Sequence, residues 1–307
     1  MVNMKRLFVA GLVNVETTLA IDGFPLEYFP VRYLFDSMNT AISGVGWNVA
    51  KALKVLGNQV DFASLVGLDA NGALVRDGLA EAGIDDGLVL DALDATPQSV
   101  ILYDPTGRRQ IHVDLKDIQS HTYPVHLLQM ALEKCDLAVL CNINFSRPLL
   151  EIARQAKVPI ATDVHALADL EDEYNREFMA AATILFLSDE SLPDSPEVVV
   201  DYLLGHYQAE IVVIGLGAQG ALLAVRSDRF IERFKAVHIR GVVNTIGAGD
   251  ALFSAFLDRY LRWRDPYAAL EAALVFASYK IGEKGAAEGF LSSNELDTWI
   301  SKTRTEA

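Results

Sequence analysis

Cysteine is scarce in this chain: two residues in 307, Cys135 and Cys141, both in the apolar run CDLAVLC, with no His or Cys pair at metal-ligand spacing. That argues against a disulfide framework and against a structural zinc site. Basic charge is also short, 26 Lys+Arg against 41 Asp+Glu, which leaves a formal charge of -15 and a pI of about 4.8. Neither a nucleic acid nor an anionic membrane surface is then expected as the main partner, and any phosphate must be attracted locally. No apolar stretch approaches the ~18 residues of a membrane helix, and the amino-terminal MVNMKRLFVAGL lacks the length and small-residue cleavage pattern of a signal peptide. A cytoplasmic protein is the expectation. The chain contains no G-x-x-x-x-G-K-[ST], H-E-x-x-H, G-x-S-x-G or paired CxxC, and its six His are scattered, with His112 and His121 expected on the surface. What it has in quantity is apolar side chain, 51% with a mean hydropathy of +0.22, enough to bury a large core.

That apolar content alternates in two rhythms. LFVAGL (7–12), VDFASLV (60–66), LAVLCNI (137–143), VPIATD (158–163), TILFLS (183–188) and EIVVIGL (210–216) read as buried strands. Between them WNVAKALKVLG, ALVRDGLAEAG, LLEIARQAK and PEVVVDYLLGHY carry apolar residues at helical spacing, so the chain is expected to be α/β with a mostly parallel sheet. Residues 15–42 and 98–114 break the rhythm, rich in Thr, Tyr, Phe, Val and Ile without a helical period, and are expected to pair as a small β-strand lid, the second folding over the turn DPTG. No linker or repeat divides residues 1–307, and the polar tail after Asp297 is expected to fray.

One segment points to chemistry. In VVNTIGAGDALFSAFLDRYLR (242–262) a glycine-rich turn opens an amphipathic helix. Gly247, Ala248 and Gly249 let backbone N–H groups approach an anion, and the first-turn donors and helix dipole favour negative charge there. Asp250 follows beside that place. It is either an ordinary acid of a helix start or a base that takes a proton from an attacking hydroxyl.

Three further groupings are open to two readings each. GLGAQG (215–220) matches the dinucleotide fingerprint in spelling, but ALLAV and the turn RSDRF that follow read as strand, so a hairpin is expected rather than a helix start. SGVGWNVAKAL (43–53) opens a helix at Gly44 and Gly46, with Asn48 either ligand-facing or incidental to a core built on Trp47. Asn14 and Glu16 alternate with Val13 and Val15, which puts both polar groups on one side of a strand, where they could bind a diol or face solvent.

With those residues in view, the chain resembles the ribokinase-like, or PfkB, carbohydrate kinase family along nearly its whole length. VNTIGAGDALFSAF is similar to the family's carboxyl-terminal signature, SGVGWNVAKALKVLG with Gly67, Asp69 and Gly72 to its amino-terminal one, and IGLGAQGALL to its nucleotide site. The resemblance implies a three-layer α/β/α core with a lid, and an ATP-dependent kinase acting with Mg²⁺, and with or without K⁺, on a primary hydroxyl of a sugar or sugar-like substrate. It implies Asp250 as base and Gly247, Ala248 and Gly249 as anion hole; Asn14, Glu16, Gly44, Asn48 and the lid residue Arg108 at the substrate; Ser188, Gly217, Gly220 and Gly249 at the nucleotide. The backbone around Asn244 and Ile246, with the stretch from Lys280 to Ala287, would match a monovalent-cation loop, and the lid could join a homodimer. Asn244 replaces the family's usual Asp, Ser188 and Ser191 fall where an N-x-x-E motif is usual, and Ser43, Val45 and Glu16 alter the sugar site. A nucleoside kinase using Phe24, Tyr28, Phe29 and Tyr33 against a base, or a binding protein with degenerate catalysis, are the alternatives these departures leave.

Overall fold

In the computed structural model, which describes residues 4–306, the strand-forming runs assemble into two sheets. The larger contains β1 (Arg6–Ala10), β4 (Gln59–Gly67), β5 (Val89–Leu93), β8 (Leu137–Leu140), β9 (Ile160–Ala166), β10 (Ile184–Ser188), β11 (Ile211–Gly215), β12 (Ala221–Val225) and β13 (Phe230–Phe234). Its order is β13-β12-β11-β10-β9-β8-β1-β4-β5, parallel from β5 to β11 and antiparallel beyond. The smaller has the order β3-β2-β6-β7 and is built from β2 (Asn14–Ala20), β3 (Met38–Ser43), β6 (Gln98–Tyr103) and β7 (Arg109–Asp114). Both lid segments therefore meet in one sheet, through the parallel pairing of β2 with β6. Residues 21–37, between β2 and β3, form no regular element and leave Tyr28 and Tyr33 more than four-fifths exposed, at 89% and 84%.

Helices cover both faces of the large sheet because its strands are apolar on both sides. Leu7 and Val9 pack with α1 (Val45–Val55), α7 (Ala248–Trp263) and α8 (Pro266–Lys280), whereas the intervening Phe8 and Ala10 pack with α3 (Gln129–Glu133), α4 (Arg147–Gln155), α5 (Arg176–Ala181) and α6 (Pro196–His206). The period of two along β1 thus serves two cores, and the fold is the three-layer α/β/α sandwich with a small-sheet lid. Helix α2 (Ala70–Glu81) begins at an Asp69 cap that accepts from the Gly72 N–H at 2.7 Å and from Thr96 Oγ1 at 2.7 Å. Part of the amino-terminal signature, Gly67, Asp69 and Gly72, is consequently a joint between the end of β4 and the loop before β6, where a Cβ at Gly67 would lie 2.7 Å from Ala95 backbone.

The expectation for the tail is corrected. Residues after Asp297 continue α9 (Ser293–Glu306), anchored by Trp299 against Tyr279 and by Arg304 on Glu271. No helix among the described residues is long and apolar enough to cross a membrane.

Candidate active site

The sheet reverses direction of growth between β1 and β8: β4 and β5 follow on one side, β9, β10 and β11 on the other. Loops leaving the carboxyl ends of two such strands diverge and leave a crevice. A cleft of about 430 Å³ opens there, lined by Leu12 beyond β1, by Cys141 and Asn142 beyond β8, and by His165 near the end of β9. Its roof is the small sheet, through Ser99, Ile101, Ile111 and Val113, and its floor is the start of α7, through Gly247 and Asp250.

Close packing of backbone on backbone brings the polar residues to this point. Gly46 of α1 rests on Gly11, where a Cβ would come within 2.5 Å of the Gly11 carbonyl carbon. Gly44, with φ 101°, would bring a Cβ to 2.6 Å from the Leu12 oxygen. The glycines of SGVG therefore seat α1 against the turn after β1, and Asn48, one turn into the helix, is carried into the cleft while Trp47 enters the core. Asn48 Nδ2 donates to Asp250 Oδ2 at 2.7 Å. Asn14 and Glu16, on one face of β2, also line the cleft, and Ser43 across the β2–β3 ladder donates to Glu16 Oε2 at 2.9 Å. The side-chain oxygens of Asn14 and Asn48 are buried and have no hydrogen-bond partner among the described residues. Two buried, unpaired acceptors in a cleft match a ligand rich in hydroxyl donors.

Electrostatics distinguish the two carboxylates. Burial raises the Asp250 carboxyl above the ordinary Asp range, partly offset by the Asn48 hydrogen bond and by the nearby His165 and Lys280. Burial raises Glu16 as well, with Ser43 opposing it and the negative Asp250 adding to it. A carboxylate held toward its neutral form is a stronger base when it is ionised, the property a proton acceptor needs.

The turn before α7 is organised by glycine. Gly247 adopts φ 73°, and a Cβ there would collide with the Ala286 oxygen; no atom lies within 4 Å of where a Cβ on Gly249 would stand. At this open edge, with the positive end of the helix dipole, the Gly247 and Gly249 N–H groups have no backbone acceptor among the described residues, whereas the Ala248 N–H, expected with them, is taken up by the Thr245 carbonyl at 3.2 Å. Beneath it, Asn244 Oδ1 accepts from the Ile246 N–H at 3.0 Å, Asn244 Nδ2 donates to the Lys284 carbonyl at 2.8 Å, and the fully buried Lys280 ammonium donates to the Ile246 carbonyl. Burial lowers Lys280 to about 8, with Asp250 and Glu16 opposing the shift.

Gly217 and Gly220 lie farther along the sheet, in a tight turn joining antiparallel β11 and β12, as ALLAV foretold; the turn is a single 3-10 turn over Gly217–Gln219 and no α-helix starts there. Gly220 has φ 102°, and a Cβ on it would run into the Phe234 oxygen, whereas Gly217 borders open space. Ser188 pairs with Gly215 in the ladder, and its hydroxyl accepts from the Glu190 N–H at 3.2 Å. These residues do not line the cleft; they belong to the β10–β12 end of the large sheet.

Some placements differ from the expectations. Arg108 is held in the DPTG turn by bonds to Asp104 at 2.8 and 3.0 Å and lies over the Phe24 ring, outside the cleft lining. Its neighbour Arg109 reaches the other way, donating to Thr245 Oγ1 at 2.8 Å and to Glu190 at 2.9 Å, so it ties the lid to the loop before the glycines. The aromatic residues Phe24, Tyr28, Phe29 and Tyr33 do not line the cleft either; its apolar wall is aliphatic. Beyond the expected set, the structure brings in Gln119, Asn142 and His165, while Ser43 joins the cleft as the resemblance implied and Lys280, at the edge of the expected cation loop, enters from below.

Comparison with known proteins agrees with this architecture. The family model for pfkB family carbohydrate kinases matches residues 4–293. An ATP-dependent ribose-1-phosphate kinase of Halopiger xanaduensis is 27% identical over 289 residues, 92% of this chain and 94% of that protein. The structure of a microbiome-derived acarbose kinase superposes with a TM-score of 0.87 at 26% identity, covering 97% of this chain and 99% of that one. A Burkholderia thailandensis nucleoside kinase in complex with inosine shares the fold, with a TM-score of 0.77 at 20% identity over 97% of both chains.

Proposed function

Since the chain belongs to the pfkB family of carbohydrate kinases, we propose that it transfers the γ-phosphoryl group of ATP to a primary hydroxyl of a sugar or sugar-like polyol bound in the cleft. The observation that carries this reading is the placement of Asp250: a buried carboxylate with raised proton affinity, on the floor of the polyol cleft, in the first turn of the helix whose glycines present free N–H groups. A hydroxyl held by Asn14, Asn48 and Glu16 gives its proton to Asp250 as its oxygen attacks phosphorus. The N–H groups of Gly247 and Gly249 stabilise charge on the transferring group, joined by that of Ala248 if it leaves the Thr245 carbonyl, and the lid excludes water that would otherwise accept it. ATP is proposed to lie along the β10–β12 edge against Ser188, Gly217 and Gly220.

Mg²⁺, which the family implies, would need carboxylate or hydroxyl oxygens at this edge besides those of the phosphates. Asp189, at the carboxyl end of β10 where the N-x-x-E residues are replaced by serine, is the carboxylate that would hold it, with Glu190 beside it if released from its pair with Arg109. When bound it would supply positive charge between the phosphates.

The test is ATP-to-ADP turnover with pentoses, hexoses, their monophosphates, short oligosaccharides and nucleosides, in the native chain and in Asp250→Asn. Loss of about 100-fold or more in kcat is expected, the scale of removing a general base. The raised Asp250 predicts the sign of the pH profile: kcat/KM falls as pH drops through a value above the ordinary 3.8 of an Asp, because the protonated carboxyl cannot accept a proton. Equal turnover in the two proteins would remove Asp250 as base, and tight sugar binding without turnover would assign a binding protein. The aliphatic wall of Ile101, Ile111, Val113 and Leu115 favours one second reading, a nucleoside acceptor whose base lies flat under the lid; preferred turnover of nucleosides in the same panel would establish it.

A further inference from the structure

Lys280 is a buried charge that the phosphoryl-transfer scheme does not use. It is the last residue of α8, a helix whose remaining side chains are almost all apolar, and it is completely shielded from solvent. An ammonium in that position needs partners to be retained, and it has one at hydrogen-bond distance, the Ile246 carbonyl, with the carboxylates of Asp250, Glu16, Glu288 and Glu283 around it.

The choice of carbonyl matters. The Ile246 C=O and the Gly247 N–H belong to one peptide unit, planar and trans, so the two bonds point in opposite directions and their dipoles add. An ammonium on the oxygen fixes the direction of that N–H and makes it a stronger donor, by the polarisation that links successive hydrogen bonds. Lys280 thus acts on the first amide of the glycine turn from the side opposite the anion. Its place at the carboxyl end of α8 adds the favourable end of that helix dipole.

The monovalent cation implied by the family resemblance does not fit beside it. Within the loop to which that ion was assigned, the Ile246 carbonyl is occupied by Lys280 and the Lys284 carbonyl by Asn244 Nδ2. The second bond depends on the departure at position 244: an Asp there would offer no donor to the Lys284 carbonyl, whereas Asn closes the loop on itself without adding charge. We infer that the tethered ammonium of Lys280 replaces a bound monovalent cation beneath the Gly247–Gly249 turn, so that this kinase works without K⁺ and Lys280 is a positioning residue for its anion hole. The inference rests on the proposed role of that turn in holding the phosphoryl group.

The experiment pairs rate with ion binding. At constant ionic strength, rates of the native chain in potassium chloride and in tetramethylammonium chloride are expected to coincide, and crystals soaked in Tl⁺ are expected to show no anomalous scatterer at the Ile246 carbonyl. Lys280→Met, which keeps the side-chain length without the charge, is expected to lower kcat by ~100-fold with acceptor KM little changed, the scale of losing one preorganised electrostatic contact. Lys280→Ala, which also vacates space, is expected to bind Tl⁺ beside Ile246 and to regain rate when K⁺ is added. A native enzyme that stops without K⁺, a Tl⁺ site in the native crystal, or a folded Lys280→Met with native kcat would each overturn the inference. If either variant fails to fold, the native salt comparison and the native Tl⁺ soak decide. If no acceptor is turned over at all, the kinase reading fails and the Tl⁺ soak still decides the cation question.

Discussion

The proposed acceptor end and the proposed nucleotide end of this site are made of different material. Around Asp250 the polar groups are buried side chains: Asn14, Glu16, Ser43 and Asn48 are each nearly inaccessible and come from two lid strands and one helix. Around β10 to β12 they are a glycine turn, a strand end and half-exposed Ser188, with backbone doing most of the shaping. Recognition by buried side chains can be retuned one residue at a time, because each unpaired donor or acceptor carries a desolvation cost against the wrong ligand. Recognition by backbone tolerates side-chain exchange and fails when the turn itself is altered. Asp250 and the Gly247–Gly249 turn lie between the two and combine both materials.

The strongest way to break that contrast is to damage the backbone end. Gly220 is in the left-handed region with the Phe234 oxygen and Ala236 nitrogen where a side chain would go. Gly220→Val should cost ~3 kcal/mol or more, combining backbone strain with displacement of β13, and should lower Tm and raise the KM for ATP together. Differential scanning calorimetry and nucleotide titration check it; a variant with native Tm and native ATP affinity would show that the turn is not what shapes that end.

A smaller effect is expected from Glu16→Gln at the other end. The Gln oxygen can still accept from Ser43, so the fold is kept, but a charged acceptor lining the cleft proposed for the polyol is lost. Acceptor KM should rise ~10-fold, the scale of a hydrogen bond to a charged group, with the KM for ATP unchanged. The same variant has a pH signature. Because the folded Glu16 is raised above 4.5, its contribution to stability is fully present below that value and is lost as pH rises through the folded one. Gln does not titrate, so Glu16→Gln should gain Tm relative to the native protein from pH 4.5 upward and level off once the native carboxyl is ionised. A Tm difference independent of pH would remove burial as the cause.

The contrast also explains which parts were legible in the sequence. Elements with a strong period, such as β1, β4, β10 and α6, were readable because each is fixed by its own side chains. The hairpin at GLGAQG was readable against its spelling because ALLAV has no helical period. The lid arginine was not, since neighbours in an extended segment point opposite ways and nothing local chooses between Arg108 in the turn and Arg109 on β7. The tail was misread for a related reason: α9 is stabilised by Trp299 on Tyr279, a contact with a distant helix. Lys280 did leave a signal, a single cation closing the apolar run ALVFASYK, but a Lys at a helix end is ordinarily a solvated one, and only its burial under Ile246 gives it meaning.

The mildest prediction tests the nucleotide end by a side chain alone. Ser188 stands where the family motif has Asn, and its hydroxyl is engaged with the Glu190 N–H, a local bond at the end of β10. If backbone shapes this end, Ser188→Ala should change the KM for ATP by less than ~3-fold, the loss of one weak, partly solvated hydrogen bond. Ser188→Asn, restoring the usual residue, should do no better than the native chain, because Glu190 is already drawn toward Arg109 of the lid at 2.9 Å and the segment is set by that pair. A large gain in ATP affinity from Ser188→Asn would mean that this end, too, is tuned by side chains, and the division between the two halves of the site would fall.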